Sequence, residues 1–450
     1  MMYEAGTALM ERFLDPEILP ESVISLGPAT MEQAMARSRS ISHPDRQWQT
    51  YLNTLALFGV AQWFAQRAGD ISLNQGQASI LLPSYASVIP AVCNLVAKGF
   101  KLCLIATTSQ PDEVVEIPRA AIDLPDFIPH FYVVVAIYEE QAQVMLHSFL
   151  RYDQLASRIA TIPPDEDWTY PIPLNWFDPN IDRFLLYLRC ADPGAIALPE
   201  PVIDLRTALA TLQTELLHLL PQLQVNDRPW WQTLTWEQGS VVLSTPPLLN
   251  WILTPQSPSP LPTADSPHPH LSDLLQLLTR PLINVGNWLQ DQLDDLAQQL
   301  SWVLLPPLSS QMRLKESGDT MPRDEFEAIV TQLQRQGVTL LPDARAAFSN
   351  LVIGTIPVRL CVITATFQEA GQPPEWSLLV VVGPAPGNHL PYGTRLRISD
   401  TTGILVQRSL TPVQGEEYLF SEIFGTLDET FLVTITVPDG ASLSLPPFSW

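Results

Sequence analysis

Residues 358–450 form a run of short apolar segments separated by turn-forming residues, and this rhythm restricts the fold more than any other part of the chain. Turns are indicated at residues 371–374, 383–387, 400–403 and 438–440, where Gly combines with Pro or Asp. Six or seven strands in about ninety residues are typical of an immunoglobulin-like β-sandwich. The strands are predicted at residues 358–367, 376–382, 395–399, 405–410, 418–424, 431–437 and 442–445.

The same block has no recognisable catalytic arrangement, which is more typical of a binding module than of an enzyme. It also has neither a Cys pair nor a Trp in the positions that define a true immunoglobulin domain. The prediction is therefore a sandwich of immunoglobulin-like size and rhythm only.

The length of 450 residues exceeds what one hydrophobic core supports, so two or three domains are expected. A tract dense in Pro and Ser at residues 254–270 cannot bury a core and indicates an extended linker. The overall prediction is an α+β chain. Its predicted parts are a helical amino-terminal segment at 1–73, a small β-barrel-like domain at 79–198, a helical and aromatic segment at 199–253, the linker at 254–270, a helical region at 271–345 and the β-sandwich at 350–450. The parts between the two β-domains form a helical, Pro-rich middle.

Apolar and aromatic residues recur at three- and four-residue intervals in residues 45–67, which predicts a helix with one broad buried face. Short β-rich runs follow at about ten-residue spacing and predict a small barrel or a strongly bent sheet. Glu139 to Gln141 separate two of these runs and are expected to form an exposed hairpin tip. The runs lie at 91–96, 101–107, 114–118, 131–138 and 143–150, with further strands predicted at 168–174 and 184–190.

Three more helices are predicted from apolar periodicity, at residues 201–224, 271–305 and 323–336. Pro281 is expected to kink or break the second of these after its first turns, because proline has no backbone N–H and clashes with the preceding turn. Pro322 and Gly337 fit the two ends of the third helix.

The chain carries 47 acidic and 24 basic residues, for a formal charge of -23. Such a surface repels phosphate backbones and anionic lipid, so nucleic-acid and membrane partners are not predicted. A basic or neutral protein partner is expected instead. No stretch approaches the roughly 20 apolar residues of a membrane helix, and no secretory signal is recognisable, so a cytoplasmic location is expected.

Familiar motifs for chemistry are absent from the sequence. There is no Gly-x-Ser-x-Gly elbow, phosphate-binding Gly-rich loop or Cys-x-x-Cys pair, and the four cysteines are expected to be buried free thiols. His268 and His270 have a metal-ligand spacing, but they lie in the Pro/Ser tract, where nothing fixes a geometry. His130 and His147 bracket the predicted hairpin tip and are expected to face each other or to lie close together across the same hairpin. No catalytic, cofactor-binding or metal-binding residue is predicted.

Paired carboxylates could serve as acid and base in glycoside hydrolysis, which keeps a hydrolase open as an alternative. Each pair lies in a loop or on a polar face, so ordinary solvated charge is the simpler interpretation. The pairs are Asp165 and Asp167, Asp294 and Asp295, Glu416 and Glu417, and Asp428 and Glu429.

The favoured hypothesis is a non-catalytic protein-interaction or regulatory protein that binds its partner through the terminal block. Trp376, Phe448 and Trp450 are the candidate contact residues, because aromatic side chains are common interface anchors. The competing interpretation places Trp376 and Phe448 in the core. A carbohydrate-binding sandwich is a further alternative, which would show a planar row of exposed Trp or Tyr.

Several short segments also resemble those of a cyanobacterial family known as domain of unknown function 1822. The resemblance covers the chain from about Pro44 to its end and rests on the order of the segments. It implies a cyanobacterial, cytoplasmic setting and brings no activity, cofactor or catalytic residue. The segments are FLRYDQL at 149–155, the strip at 168–190 with WF at 176–177 and LLYLRC at 185–190, EWSLL at 375–379, GPAPG at 383–387 and LPPF at 445–448.

Overall fold

The computed structural model divides the chain into two compact units, Met1–Leu205 with Gln222–Leu253, and Arg206–Pro221 with Thr254–Trp450. Helices and strands are both abundant, which confirms the α+β class. Most of the predicted Pro/Ser linker and Glu416 lie outside the described residues. The structure describes residues 23–41, 44–108, 113–200, 204–225, 228–254, 268–305, 323–335, 337–338, 340–341, 343–368, 371, 373–412 and 417–450.

The first unit is built on a six-stranded sheet with the order β1-β7-β6-β4-β3-β2, beside a two-stranded sheet of β5 and β8. Strands β4 and β6 are parallel, and the other neighbours are antiparallel. Within the described residues β1 and β2 are edge strands, so the sheet is open where a closed barrel would join them. The strands are β1 (Val23–Ser25), β2 (Leu73–Asn74), β3 (Val92–Ala97), β4 (Phe100–Thr108), β5 (Val114–Pro118), β6 (Phe131–Tyr138), β7 (Gln143–Arg151) and β8 (Thr169–Pro173).

One long helix covers a face of this sheet and carries the aromatic stripe seen in the sequence. Trp63 and Phe64 on this helix are almost completely buried, and their rings meet edge to face with centroids 5.3 Å apart. Most of the stripe is therefore core, as expected from its spacing, whereas Trp48 near the start of the helix is 50% exposed. The helices are α1 (Pro28–Arg39), α2 (Pro44–Arg67, the long one), α3 (Pro83–Ala86), α4 (Ala120–Asp123), α5 (Tyr152–Ala156), α6 (Ile181–Cys190), α7 (Leu205–Val225, shared with the second unit), α8 (Trp236–Leu243) and α9 (Pro246–Leu253).

The strand predicted at 184–190 is wrong, because these residues form most of α6. The Asn180 side chain accepts a hydrogen bond from the Arg183 N–H and caps the helix start. Phe184, Leu185 and Leu188 are buried on one face, at the three- and four-residue spacing of a helix. The apolar run is thus one side of an amphipathic helix.

The second unit contains two sheets whose inner faces share one buried cluster. The first sheet has the order β10-β11-β12-β13-β16, and the second has β15-β14-β17-β19-β9 with β18 paired to β17. Only the pair of β19 and β9 is parallel among these. The strands are β9 (Ile283–Asn284), β10 (Val303–Leu304), β11 (Arg345–Ile353), β12 (Ile356–Phe367), β13 (Glu375–Pro384), β14 (Arg395–Ser399), β15 (Ile404–Ser409), β16 (Leu419–Thr426), β17 (Thr430–Thr436), β18 (Ser442–Ser444) and β19 (Phe448–Ser449).

Alternation along the strands explains how the two sheets are held together. Alternate residues of β12 and β13 meet alternate residues of β14 and β17 in the shared cluster, as the period of two requires. The inward side chains are Val358, Leu360, Val362, Leu378, Val380, Val382, Leu396, Ile398, Val433 and Ile435. The seven strands predicted in the terminal block correspond to β12 to β18.

Besides the shared α7, the described residues of the second unit contain three helices: α10 (Pro269–Thr279), α11 (Asp295–Gln299) and α12 (Arg323–Arg335). The last matches the predicted helix at 323–336, and Phe326, Ile329 and Leu333 on it cover the outer face of the first sheet. The predicted helix at 271–305 ends at Thr279, two residues before Pro281, and the rest forms β9, a 3-10 turn, α11 and β10. Within the described residues, no helix has both the length and the apolar composition needed to cross a bilayer.

Candidate functional site

A groove of about 360 Å³ lies on the outer face of the first sandwich sheet. Its floor is formed by β12, β13 and β16, and Leu340, Leu341 and Ala344 border it. The strand register places the floor residues in two rows across the sheet. One row is Ile363, Leu379 and Glu422, and the other is Ala365, Ser377 and Phe424.

Much of this groove is apolar surface that remains open to solvent. Phe424 is 56% exposed, although its ring meets the Phe367 ring edge to face at 5.5 Å. Leu341 at the border is also exposed. Exposed apolar surface gathered in a concave place is a common mark of a protein-binding site.

Glu422 lies in the middle of this apolar surface and is half-buried. Its carboxylate makes no hydrogen bond or ion pair with any residue in the described ranges. Burial raises the pKa of Glu422, because its charged form is partly removed from water and gains nothing in return. The groove therefore offers an unpaired negative charge beside an exposed aromatic ring.

The chain matches the family described as "Protein of unknown function (DUF1822)" over residues 24–441. It belongs to the DUF1822 family. This confirms the family suggested by the sequence segments, while a cyanobacterial origin stays a prediction. The search of curated proteins gives no match. Family membership assigns no activity to the groove.

Trp376 and Phe448, two of the three predicted contact residues, are completely buried in the DUF1822 sandwich core. The Trp376 ring lies 5.1 Å from the Phe431 ring, and its Nε1–H donates to the Thr426 carbonyl. Phe448 packs edge to face against the Trp288 ring. These two side chains present no surface to a partner, because core packing occupies them.

Trp450 differs from the other two because it is partly exposed. Its ring lies 6.1 Å from that of Trp376, at the edge of the core. Deleting residues 445–450 would also remove β19 and the buried Phe448 ring, so it would test folding as well as binding. Trp450→Ala is the cleaner test of a surface role.

The prediction that His130 and His147 face each other is wrong. Tyr152 N–H donates to the His130 carbonyl, so His130 is opposite Tyr152, while His147 falls at the register shift opposite Val134 and Val135. His130 Nδ1 accepts the Lys101 N–H at 2.8 Å, and His147 Nδ1 lies 3.0 Å from the Ser148 hydroxyl. Burial lowers the pKa of both imidazoles. Each histidine thus has its own local partner.

His268 precedes the first residue of α10, and His270 lies in its first turn. His270 is buried, and its Nε2 lies 3.3 Å from the Asp400 carbonyl oxygen. Among the described residues, no group of three His, Cys, Asp or Glu side chains is arranged to hold a metal ion.

Members of three predicted acidic pairs hold turns and helix starts. Asp167 accepts from the Thr169 N–H and hydroxyl, Asp294 accepts from the Ala297 N–H at the start of α11, and Glu429 accepts from the Thr426 N–H. Backbone groups at turns and helix starts need such acceptors. These carboxylates are therefore explained by local structure.

Sequence reasoning missed Glu422 and Phe424, although a signal was present. In the strand 419–426 a carboxylate stands two residues from an aromatic on each side, at Phe420 and Phe424. The period of two places all three on one face of the strand. The sequence signal for the groove is therefore an acidic residue with an aromatic residue two positions away on each side within a predicted strand.

Proposed function

We propose that this DUF1822 protein is a non-catalytic interaction protein that binds a basic, apolar segment of another protein in the groove around Glu422 and Phe424. The unpaired, half-buried carboxylate of Glu422 is the observation that carries the proposal. A lysine or arginine from a partner would supply the counter-charge that the described chain does not.

The surrounding surface sets the second requirement on the partner. Phe424 and Leu341 are exposed beside Glu422, so an apolar side chain next to the basic residue would cover them. β16 is also an edge strand of its sheet in the described structure, and edge strands can accept an extended peptide. A short segment with Lys or Arg beside Leu, Ile or Phe fits both features.

Long-range electrostatics favour the same class of partner. The formal charge of -23 attracts basic segments and repels acidic ones before contact is made. Association is therefore expected to weaken as ionic strength rises, since salt screens charges beyond about 8 Å at physiological concentration.

The two alternatives gain less support from the groove. Among the described residues, Glu422 is the single titratable side chain lining it, whereas glycoside hydrolysis requires two carboxyl groups. In the second unit the exposed aromatic residues of the described chain are Tyr392, between β13 and β14, and Phe424 on β16. They give no row of Trp or Tyr along one strand, as a carbohydrate-binding face would. The immunoglobulin-like form of the sandwich and a cytoplasmic location remain predictions.

A positional-scanning library of fluorescently labelled nonapeptides tests the proposal on the full chain. We expect enrichment of Lys or Arg adjacent to Leu, Ile or Phe. Glu422→Gln should abolish the preference for a basic residue, and Phe424→Ala should weaken binding of all selected peptides about tenfold or more. Glu417→Gln removes an exposed carboxylate outside the groove and serves as the matched control.

Two outcomes would overturn the proposal. One is a library profile without any basic preference, and the other is an unchanged profile in both Glu422→Gln and Phe424→Ala. Circular dichroism of each variant establishes that the sandwich is folded before its binding is compared.

A further inference from the structure

We infer that a second cavity in the same unit, lined by α10, β14 and β18, binds a small phosphate ester that carries free hydroxyl groups. The cavity measures about 490 Å³, within the range of small-ligand sites. It lies apart from the groove residues, and the inference does not depend on the proposed interaction function.

The charge of this cavity is opposite to that of the chain as a whole. Arg280 and Arg397 both line it, and none of the described lining residues is acidic. In a chain with 47 acidic residues against 24 basic ones, such a local excess of positive charge stands out. Paired guanidinium groups are the preferred protein ligands of phosphate and carboxylate groups.

The guanidinium group of Arg397 is held in place by a buried carboxylate. Its Nε and Nη2 donate to the two carboxylate oxygens of the completely buried Asp273, both at 2.8 Å. The Ser399 hydroxyl donates to the same carboxylate at 2.6 Å. Nη1 of Arg397 makes no hydrogen bond within the described chain, so a positioned N–H donor remains for a ligand.

Arg280 supplies the charge that is not balanced. Its Nη1 donates to the Ser444 carbonyl at 2.6 Å, and it has no ion pair with a carboxylate in the described ranges. Burial lowers the pKa of Arg280, with no nearby carboxylate to oppose the effect. A bound anion would provide that missing counter-charge.

Neutral polar groups indicate what else the ligand carries. Ser272, Thr279 and Ser442 line the cavity with hydroxyl groups. Gln276 also lines it, and its Oε1 is a buried acceptor with no hydrogen-bond partner in the described structure. A ligand hydroxyl could donate a hydrogen bond to this oxygen. At neutral pH inorganic phosphate is a poorer donor to it than a polyol. A sugar phosphate satisfies the charge and the acceptor together.

Isothermal titration calorimetry on the full chain tests the inference with four probes at matched ionic strength: glucose 6-phosphate, inorganic phosphate, glucose and sodium chloride. We expect glucose 6-phosphate to bind more tightly than inorganic phosphate, and glucose and chloride to give no signal. Arg280→Gln should weaken glucose 6-phosphate binding at least about tenfold, since a charge-assisted hydrogen bond is lost.

Two further variants keep the result interpretable. Ser272→Met narrows the cavity without altering its charge and should also weaken binding. Arg408→Gln removes an exposed arginine of β15 that does not line the cavity, and it should leave the affinity unchanged. Absence of binding by both phosphate probes would overturn the site, as would an equal loss in Arg408→Gln. Equal affinity for inorganic phosphate and glucose 6-phosphate would overturn the assignment of a hydroxyl-bearing ligand.

Discussion

Arg397 and Asp273 form a two-point ion pair in which the carboxylate is completely buried and both joining N–O distances are 2.8 Å. Removing one partner of such a pair leaves a buried charge without compensation. We therefore expect Arg397→Met to lower the free energy of unfolding by about 3–5 kcal/mol, measured by urea titration.

The pair of Arg345 and Asp291 provides the comparison for that measurement, because the Asp291 side chain is 63% exposed, whereas that of Asp273 is fully buried. Asp291→Asn should cost no more than about 1 kcal/mol. Similar decreases of the free energy of unfolding in the two variants would show that the burial of Asp273 does not determine the size of the decrease.

Glu422→Gln is expected to raise stability slightly at neutral pH. The substitution removes a half-buried charge that has no partner in the described chain, although water screens part of that charge. An increase of about 0.5–1 kcal/mol is typical of a site where function opposes stability. The pKa of Glu422 is raised, so its destabilising effect is absent at low pH and appears as pH rises through the folded pKa. The gain in Glu422→Gln should therefore disappear in acid, and a gain independent of pH would contradict this account.

The four cysteines should differ sharply in reactivity. Cys93, Cys103 and Cys361 are buried, as expected from the sequence, but Cys190 at the end of α6 is exposed, which corrects the prediction for that residue. Burial raises the pKa of Cys361 to about 12, and the pKa of Cys103 is raised by its contact with Cys93, at an Sγ–Sγ distance of 3.6 Å, and by burial.

Titration of the native chain with a coloured disulfide reagent should therefore modify one thiol promptly, and denaturant should expose the remainder. Cys190→Ser should abolish the fast phase. Fast reaction of a second thiol in Cys190→Ser would show that one of the buried strands opens readily.

Stability should fall as the pH drops below about 6.5, the ordinary pKa of histidine. Burial, with a smaller effect of Lys101, lowers the pKa of His130, so the unfolded chain takes up this proton first. The stability contributed by neutral His130 is complete above the pKa of this residue in the unfolded chain. It is lost as the pH falls through the lower pKa of the folded chain. His130→Asn keeps an acceptor for the Lys101 N–H and cannot titrate here, so its unfolding free energy should depend less steeply on pH between 5 and 7. The exposed His389→Asn should retain the slope of the parent chain.

Much of the fold could be predicted from local sequence pattern, and the two main errors have different physical origins. The run at 184–190 is apolar enough for a strand, and only the cap at Asn180 and the spacing of Phe184 and Leu188 indicate a helix. The short strands β9 and β10 are formed by long-range pairing, which leaves no periodic trace in residues 271–305.

The candidate sites were less predictable than the fold. Alternation places Glu422 on one face of its strand, but the absence of a partner depends on which residues the neighbouring strands bring beside it. Arg280 and Arg397 are more than a hundred positions apart, and only the packing of α10 against β14 brings them to one cavity. Aromatic content alone favoured Trp376 and Phe448, because a sequence cannot distinguish a buried ring from an exposed one.

The parallel pairing of Phe448 with Ile283 has a consequence for how the second unit is made. Its second sheet joins strands that are more than 160 positions apart, so β9 leaves the ribosome long before β19 exists. Forming so distant a contact is slow. During translation the apolar surface around Ile283 therefore remains unpaired until Phe448 has been synthesised. A chaperone that shields this stretch would act on the nascent chain before residue 448 is available.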